Sequence, residues 1–168
     1  QTSIAEVEGN LILPCVLTFG CVNTALEKWI LSCDITRTEW SRYSELKIER
    51  SDKSQTKGGF NALKNWKDTF SYRLGAEYLY NESWTFRAGY VYDNSPVSEE
   101  SRNFELPGTD GHVFSFGASR KSHNYVYDLG YSYMLLKNGK AGSDALGGRG
   151  EFTGGSNHFL MLSLSRTF

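Results

Sequence analysis

Bulky and small or polar residues alternate one by one along much of this chain, the pattern of strands whose two faces meet different surroundings. From Thr69 to Tyr80, one face carries Phe70, Tyr72, Leu74, Ala76, Tyr78 and Tyr80. The other carries Thr69, Ser71, Arg73, Gly75, Glu77 and Leu79. From Trp84 to Asp93, Trp84, Phe86, Ala88, Tyr90 and Tyr92 oppose Thr85, Arg87, Gly89, Val91 and Asp93. The polar "YNES" between the two runs predicts a tight antiparallel hairpin. The same alternation predicts strands over His112–Lys121, about Tyr125–Leu135 and Ser156–Phe168, and upstream over Leu11–Val22 and Trp29–Ile48. Pro14 marks the first of these as an edge, a bulge or a strand start.

About seven strands result, and their connections come in two kinds. Asn23–Glu27, Asn81–Ser83 and Ser122–Asn124 are short, whereas Glu49–Trp66, Ser98–Gly111 and Lys137–Gly155 are long and rich in Gly, Ser and charge. Short and long links alternate strictly. An up-and-down sheet with every short turn at one end gives this order, and it is the architecture of outer-membrane barrels. A soluble β-protein accounts for the alternation almost as well. The asymmetry of the loops, and Tyr and Trp near strand ends where an interfacial girdle would lie, favour the membrane. The fold class read from the chain is all-β, an antiparallel up-and-down transmembrane β-barrel, with residues 1–168 in one domain.

Composition narrows this further. Tyr (10), Phe (10), Trp (4) and Gly (17) against only 3 Pro favour long strands over helices. No apolar run approaches the roughly 18 residues of a spanning helix, which excludes helical membrane proteins only. A net charge of −1 gives no electrostatic support to a nucleic-acid partner. The chain starts without Met or a signal peptide, as a mature chain or a piece of a longer one would.

The candidate chemistry sits on the glycine-bearing faces. Asp34, Arg73, Glu77, Arg87, Asp93 and Asp128 fall in the inward phase, and charges in a lumen pair or are hydrated. Glu77 and Arg87 stand equally far from the turn near residue 82, so a cross-strand salt bridge is expected. Asp34, Glu77, Asp93 and Asp128 are therefore read as members of an ion network that stiffens the wall. The alternative gives Arg73 or Arg87 a part in attracting a carboxylate. Phe70, Tyr72, Phe86, Tyr90, Phe116 and Tyr131 are expected to face lipid. Cys15 and Cys21 are too far apart on one strand to bridge, while Cys33, on the next, is expected near Cys15; all three read as small apolar fillers. The histidines His112, His123 and His158 are scattered, and no nucleophile elbow, Walker loop or zinc spacing is present, so no catalytic set, metal or cofactor is expected.

Several segments together resemble the FadL-type outer-membrane transporters of long-chain fatty acids and aromatic hydrocarbons. They are "KWILSCDITRTEWSRYSELKI" (28–48), "WKDTFSYRLGAEYLYNESWTFRAGYVYDNSPV" (66–97), "RNFELPGTDGHVFSFGASRK" (102–121), "YVYDLGYSYM" (125–134) and "HFLMLSLSRTF" (158–168). The hairpin at 71–97 is the most specific of them. The resemblance implies passive uptake of a hydrophobic ligand, most simply a long-chain fatty acid, across a Gram-negative outer membrane, with no enzymatic step. Family barrels have fourteen strands and an N-terminal plug, so this chain corresponds to their C-terminal part. Partners implied are the hydrophobic ligand, outer-membrane lipid and lipopolysaccharide, with a monomer at full length. The family is thought to hold the ligand carboxylate with basic residues near the lumen mouth; of Lys57, Lys64 and Lys67, in or next to the loop before Thr69, Lys64 is the expected contact. The alternatives are a structural or adhesive barrel whose loops bind host or phage, and a soluble lipid-binding β-barrel.

Overall fold

The computed structural model of the protein describes residues 6–10, 12–51, 58–102, 108–142 and 149–166. Seven strands form one antiparallel sheet: β2 (Val16–Leu26), β3 (Trp29–Thr38), β6 (Thr69–Leu79), β7 (Trp84–Asp93), β8 (Gly111–Ser122), β9 (Tyr125–Leu136) and β12 (Ser156–Arg166). Each pairs with its neighbours along the chain, so the sheet is a meander running from β2 to β12. Of the remaining strands, β1 (Glu6–Asn10) precedes β2 and the others lie in the connections. β1, β4 (Glu45–Ser51) and β5 (Gly58–Leu63) make a three-stranded sheet, and β10 (Gly139–Ala141) and β11 (Gly150–Phe152) a two-stranded one.

Local chemistry sets the short turns. The Asn81 side-chain carbonyl accepts the amides of Ser83 and Trp84 at 2.9 and 2.8 Å, an Asx turn that reverses the chain between β6 and β7. His123 takes a left-handed φ of 51° in the two-residue turn between β8 and β9. Within the hairpins the register is strict, with Glu77 opposite Arg87 and Gly117 opposite Gly130.

The sheet is a single layer. Among the described residues Val97 and Ala141 are the buried hydrophobic side chains, and both lie in loops or the small β10–β11 sheet. On the large sheet Phe19 is 76% exposed and Leu162 74%. A soluble protein seldom leaves so large an apolar face bare. Because seven successive antiparallel strands give β2 and β12 the same direction, these two edges cannot form an antiparallel ladder with each other. Among the described residues the sheet therefore stays open, a wall and not a closed barrel.

The structure corrects several sequence expectations. β2 starts at Val16 and not at Leu11, and runs on to Leu26; Pro14 lies just before it, as a residue that cannot donate to the ladder must. The expected strand Trp29–Ile48 is two elements. β3 ends at Thr38, a 3-10 turn covers Trp40–Arg42, and β4 joins a different sheet. The break is held by Asp68, which accepts the Ser41 amide at 3.1 Å and the Arg37 guanidinium at 2.8 Å. The loops 49–66 and 137–155 are not purely irregular, since they carry β5 and the β10–β11 hairpin. Cys33 faces Cys21, not Cys15. Thr167 and Phe168, the expected end of the last strand, lie outside the described residues.

Candidate functional site

The polar face of the sheet is organised in rows that run across the strands. In one row Gly20, Asp34, Arg73, Val91, Val113 and Met134 are successive cross-strand partners. Arg73 donates to Asp34 and to the Thr36 hydroxyl, each at 2.8 Å, and Thr36 meets Thr18 at 2.9 Å. A second cluster lies nearer the short turns. Arg87 pairs with Glu77, donates to Ser119, and stands 3.9 Å from Asp128, to which Ser119 also donates. Four strands are cross-linked by this cluster. Asp93 shares the face but makes no ion pair among the described residues.

Between these clusters runs a row of small residues: Ser32, Gly75, Gly89, Ser115 and Ser132. A Cβ on Gly75 would come within 2.5 Å of the Ser32 hydroxyl, so glycine there leaves that hydroxyl its place. The row ends on Phe159, and Met161 follows two residues along β12. Phe159 and Met161 are 55% and 67% exposed, and Met134, Val113 and Val91 lie one row outward. The polar wall thus holds an apolar strip beside a row of small residues. β12 is legible in the sequence as an alternating strand but this strip is not, because Phe159 and Met161 sit among serines and become a patch only beside Met134 and Val113.

At the end of the sheet that carries the long loops, the rim holds two clusters. In the first, Trp66 packs edge-on against Trp40 and Tyr43, with centroids 5.2 Å away in each case. The Lys64 ammonium lies 5.9 Å from the Trp66 ring centre, a cation–π contact. An amine against one ring of a three-ring aromatic cluster suits a ligand with one negative end and an apolar body. Nearby, the Ser41 hydroxyl and amide, with Arg37, hold the Asp68 carboxyl below the ordinary range. Lys67 is exposed, and its amide donates to the Pro96 carbonyl at 3.2 Å. Lys57 lies outside the described residues.

The second rim cluster was not read from the sequence. Asp110 accepts the Ser95 amide at 2.9 Å, the Tyr92 hydroxyl at 3.1 Å and the Lys137 ammonium at 3.2 Å. Arg102, 7% exposed, donates to the carbonyls of Gly108, Lys140 and Val97 at 3.1, 2.8 and 3.2 Å. These bonds tie the segments at 95–102 and 108–110 to the β10–β11 hairpin. Gly139 makes room for the guanidinium: a Cβ there would lie 3.0 Å from Arg102 Cζ and 2.4 Å from Thr109 Cγ2. Polar residues spread over forty positions give no local pattern, so only the folded loops reveal the cluster. At "DNSPV" Ser95 and Val97 are buried, and the Ser95 hydroxyl accepts the Val97 amide at 3.2 Å.

Burial pushes the Asp110 carboxyl up, but the Ser95 amide, Lys137 and Tyr92 together outweigh it and hold it below its ordinary value of 3.8. Bonding to Tyr92 and Asp110 raises Lys137 in turn. An acid depressed in the folded state stabilises it at pH above the unfolded value, and that stabilisation is lost as pH falls through the folded one. Protection of the Ser95 amide from hydrogen exchange, corrected for intrinsic rate, should therefore hold from neutral pH to about 4 and fall below it. An Asp110→Ala variant should show low protection throughout.

Of the residues singled out from the sequence, Arg73 and Asp34 meet in one cluster and Glu77, Arg87 and Asp128 in another; Asp93 stands apart, and Lys64 sits on the rim, away from both. Both candidate arginines are already paired, which limits what either could offer a ligand.

On the opposite face, aromatics and leucines alternate with these residues. Towards the short turns the Arg120 guanidinium lies over Trp84 and that of Arg166 over Tyr125, each 5.5 Å from the ring centre. Towards the long loops His112 lies against Tyr90 and Tyr92, and His158 against Tyr131 and Tyr133. Amphipathic rings at both ends of an apolar band are the arrangement of a membrane-facing wall.

The chain matches known proteins across most of its length. A 126-residue stretch is 32% identical to the "Long-chain fatty acid transport protein" of Escherichia coli O6:H1, covering 74% of this chain and 28% of that protein. Outer membrane protein P1 of Haemophilus influenzae is 31% identical over 129 residues, covering 76% of this chain and 27% of that protein. The crystal structure of a Pseudomonas aeruginosa FadL homologue superposes with a TM-score of 0.78 at 24% identity, over 94% of this chain and 36% of that one. The chain thus spans less than a third of the length of these sequence relatives. The family profile described as "Outer membrane protein transport protein (OMPP1/FadL/TodX)" covers residues 3–165. With an open meander of seven strands that has a polar, ion-paired face and an aromatic, apolar one, this chain belongs to the OMPP1/FadL/TodX family of outer-membrane transport proteins.

Proposed function

We propose that this chain is the C-terminal part of the wall of a fourteen-stranded outer-membrane barrel that takes up hydrophobic compounds, most simply long-chain fatty acids. The observation that carries the reading is the family match over 3–165. The apolar strip of Phe159, Met161 and Met134 on the otherwise polar wall supports it, since a hydrophobic cargo needs such a lining inside an aqueous lumen. Lys64, with Trp66, Trp40 and Tyr43, is the proposed first contact for the ligand carboxylate. Arg73 and Arg87 lie further in, holding Asp34 and Glu77, so their main work is to keep the wall in register while giving the passage positive charge. Outer-membrane lipid and lipopolysaccharide are the expected partners of the aromatic face, and the full-length protein is expected to be a monomer.

The relatives include both carboxylates and hydrocarbons in their names, one solved structure being a Ralstonia pickettii toluene transporter with a TM-score of 0.59 and 21% identity. The Lys64 amine favours the carboxylate. Uptake of labelled oleate and of labelled toluene is to be measured in cells whose full-length gene is deleted and then restored. Deletion should depress oleate uptake. Restoring a Lys64→Ala version should leave the half-saturating oleate concentration about tenfold higher, the value of one charge-assisted contact, with toluene uptake unchanged. Normal oleate and toluene uptake in the deletion strain would sink the transport reading; a Lys64→Ala strain with normal oleate uptake would sink only the assignment of Lys64.

A further inference from the structure

Cys21 on β2 and Cys33 on β3 are direct cross-strand partners, and their Sγ atoms lie 3.1 Å apart. The phase of the ladder is fixed at its far end, where the Glu39 amide donates to the Cys15 carbonyl at 2.9 Å. Hydrogen-bonded pairs recur every second residue from that point, and Cys21 and Cys33 form one of them. Such pairs hold their Cα atoms about 5.5 Å apart, within the roughly 4.4–6.8 Å that disulfides span, and their Cβ atoms, at the wide end of about 4.5–5.5 Å, draw in toward about 4 Å as the bond closes. The pairing depends on the irregularity between Asn23 and Leu26, which shifts the register by one residue. Continuing the register set by Leu26 and Trp29 would instead put Val22 opposite Cys33. Both thiols stand on the apolar face, in a shallow groove with Phe19, Ile35, Tyr72 and Leu74.

We infer that Cys21 and Cys33 are a disulfide site, oxidised in the periplasm before the β2–β3 hairpin enters the bilayer. The oxidant is the disulfide of a periplasmic thiol–disulfide oxidase, a class that operates in the oxidising compartment through which outer-membrane proteins pass. One cysteine thiolate attacks that disulfide, forming a mixed disulfide and releasing one oxidase thiolate. The second cysteine thiolate then attacks the Sγ of the first, closing the Cys21–Cys33 bond and releasing the second oxidase thiolate. The two protons lost by the cysteines end on the oxidase thiols, and the two electrons reduce its disulfide. Once the hairpin is in lipid, a thiolate reductant is excluded by the hydrocarbon, so the bond is kept. The bond fastens the edge strand β2 to β3 in the register that the irregularity sets.

The chain offers a clean readout. No Lys or Arg lies between Cys15 and Lys28, and trypsin cuts after Lys28 and Arg37, so Cys33 leaves on Trp29–Arg37 while Cys15 and Cys21 leave together on another peptide. The full-length protein is to be taken from outer membranes without reductant, quenched with N-ethylmaleimide, digested and weighed. The expected species is the two peptides joined, lighter by two hydrogens than their sum, with one maleimide on Cys15. It should persist in Cys15→Ser, vanish in Cys21→Ser and Cys33→Ser, and diminish in cells lacking the oxidase. Maleimide on all three cysteines of the unaltered protein, or a linked pair that survives Cys21→Ser, would overturn the inference. Neither result bears on what the protein transports.

Discussion

Leu162→Arg should cost about 2–4 kcal/mol of folding stability in a bilayer, whereas Ser163→Arg next to it should cost under about 1 kcal/mol. The two positions are neighbours on β12, and the difference between them is the face. Leu162 is 74% exposed and lies in line with Leu129 of β9, on the side where Tyr, Phe and Leu alternate with the polar wall. Near the middle of an 11-residue strand, it sits where the hydrocarbon is deepest. A guanidinium there must be desolvated or dragged toward the headgroups. Ser163 is opposite Asp128, on the face that already carries Arg87, Glu77 and Ser119. An arginine there meets water and a carboxylate. Urea titration of the full-length protein folding into lipid vesicles measures both. Equal penalties would mean that the assignment of faces is wrong, and with it the lumen reading of every charged residue in the wall.

Arg102→Ala should be the most damaging change at the rim, at about 3 kcal/mol, yet leave the large sheet intact. The guanidinium is nearly sealed from solvent and supplies donors to three backbone carbonyls from three segments. Removing it leaves three acceptors short of a partner, each at about 1 kcal/mol or more, together with a void beside Gly139. Arg102→Lys should rescue little, because a single ammonium on a flexible stem cannot span three divergent carbonyls as a planar fork does. Hydrogen exchange separates the local from the global effect. The amides of Val97–Arg102 and of the β10–β11 hairpin should lose protection, while those of β7, β8 and β9 keep it. Loss of protection throughout β7–β9 would show instead that the rim is needed for the sheet itself.

These two expectations differ in how far the sequence alone reaches. Leu162 and Ser163 fall on opposite faces by counting along the strand predicted over Ser156–Phe168, because alternation is a property of the local backbone and survives without knowledge of any partner strand. The Glu77–Arg87 pair was also legible, since a short turn fixes which residues meet across it. Family motifs in the hairpin around "YNES" did the rest. Arg102, Asp110 and Lys137 were not legible. Their partners are backbone carbonyls and amides on other loops, brought together only by the ends of strands already paired. The expected long strand Trp29–Ile48 failed for a related reason: alternation continues through Glu39–Tyr43 weakly enough that the tertiary bonds from Asp68 decide the break. The same limit holds for the candidate ligand contacts. The family resemblance points to a basic residue in the loop before β6, and the structure adds the Trp66 ring that gives the Lys64 amine a setting.

What the sequence by itself determined is the two-faced strand, the meander, the strict alternation of short and long links and the pairing of charges near tight turns. All follow from side-chain periodicity and turn chemistry, which act over a few residues. What only the tertiary structure decided is register away from a tight turn and everything that register brings together. One irregularity between Asn23 and Leu26 places Cys21, and not Val22 or Cys15, opposite Cys33. The lateral alignment of β8, β9 and β12 makes Val113, Met134, Phe159 and Met161 into one apolar strip on a polar wall. A single-residue slip exchanges every such partner and turns every side chain to the other face, so contacts of this kind are fixed by the assembled sheet and not by the order of residues along any one strand.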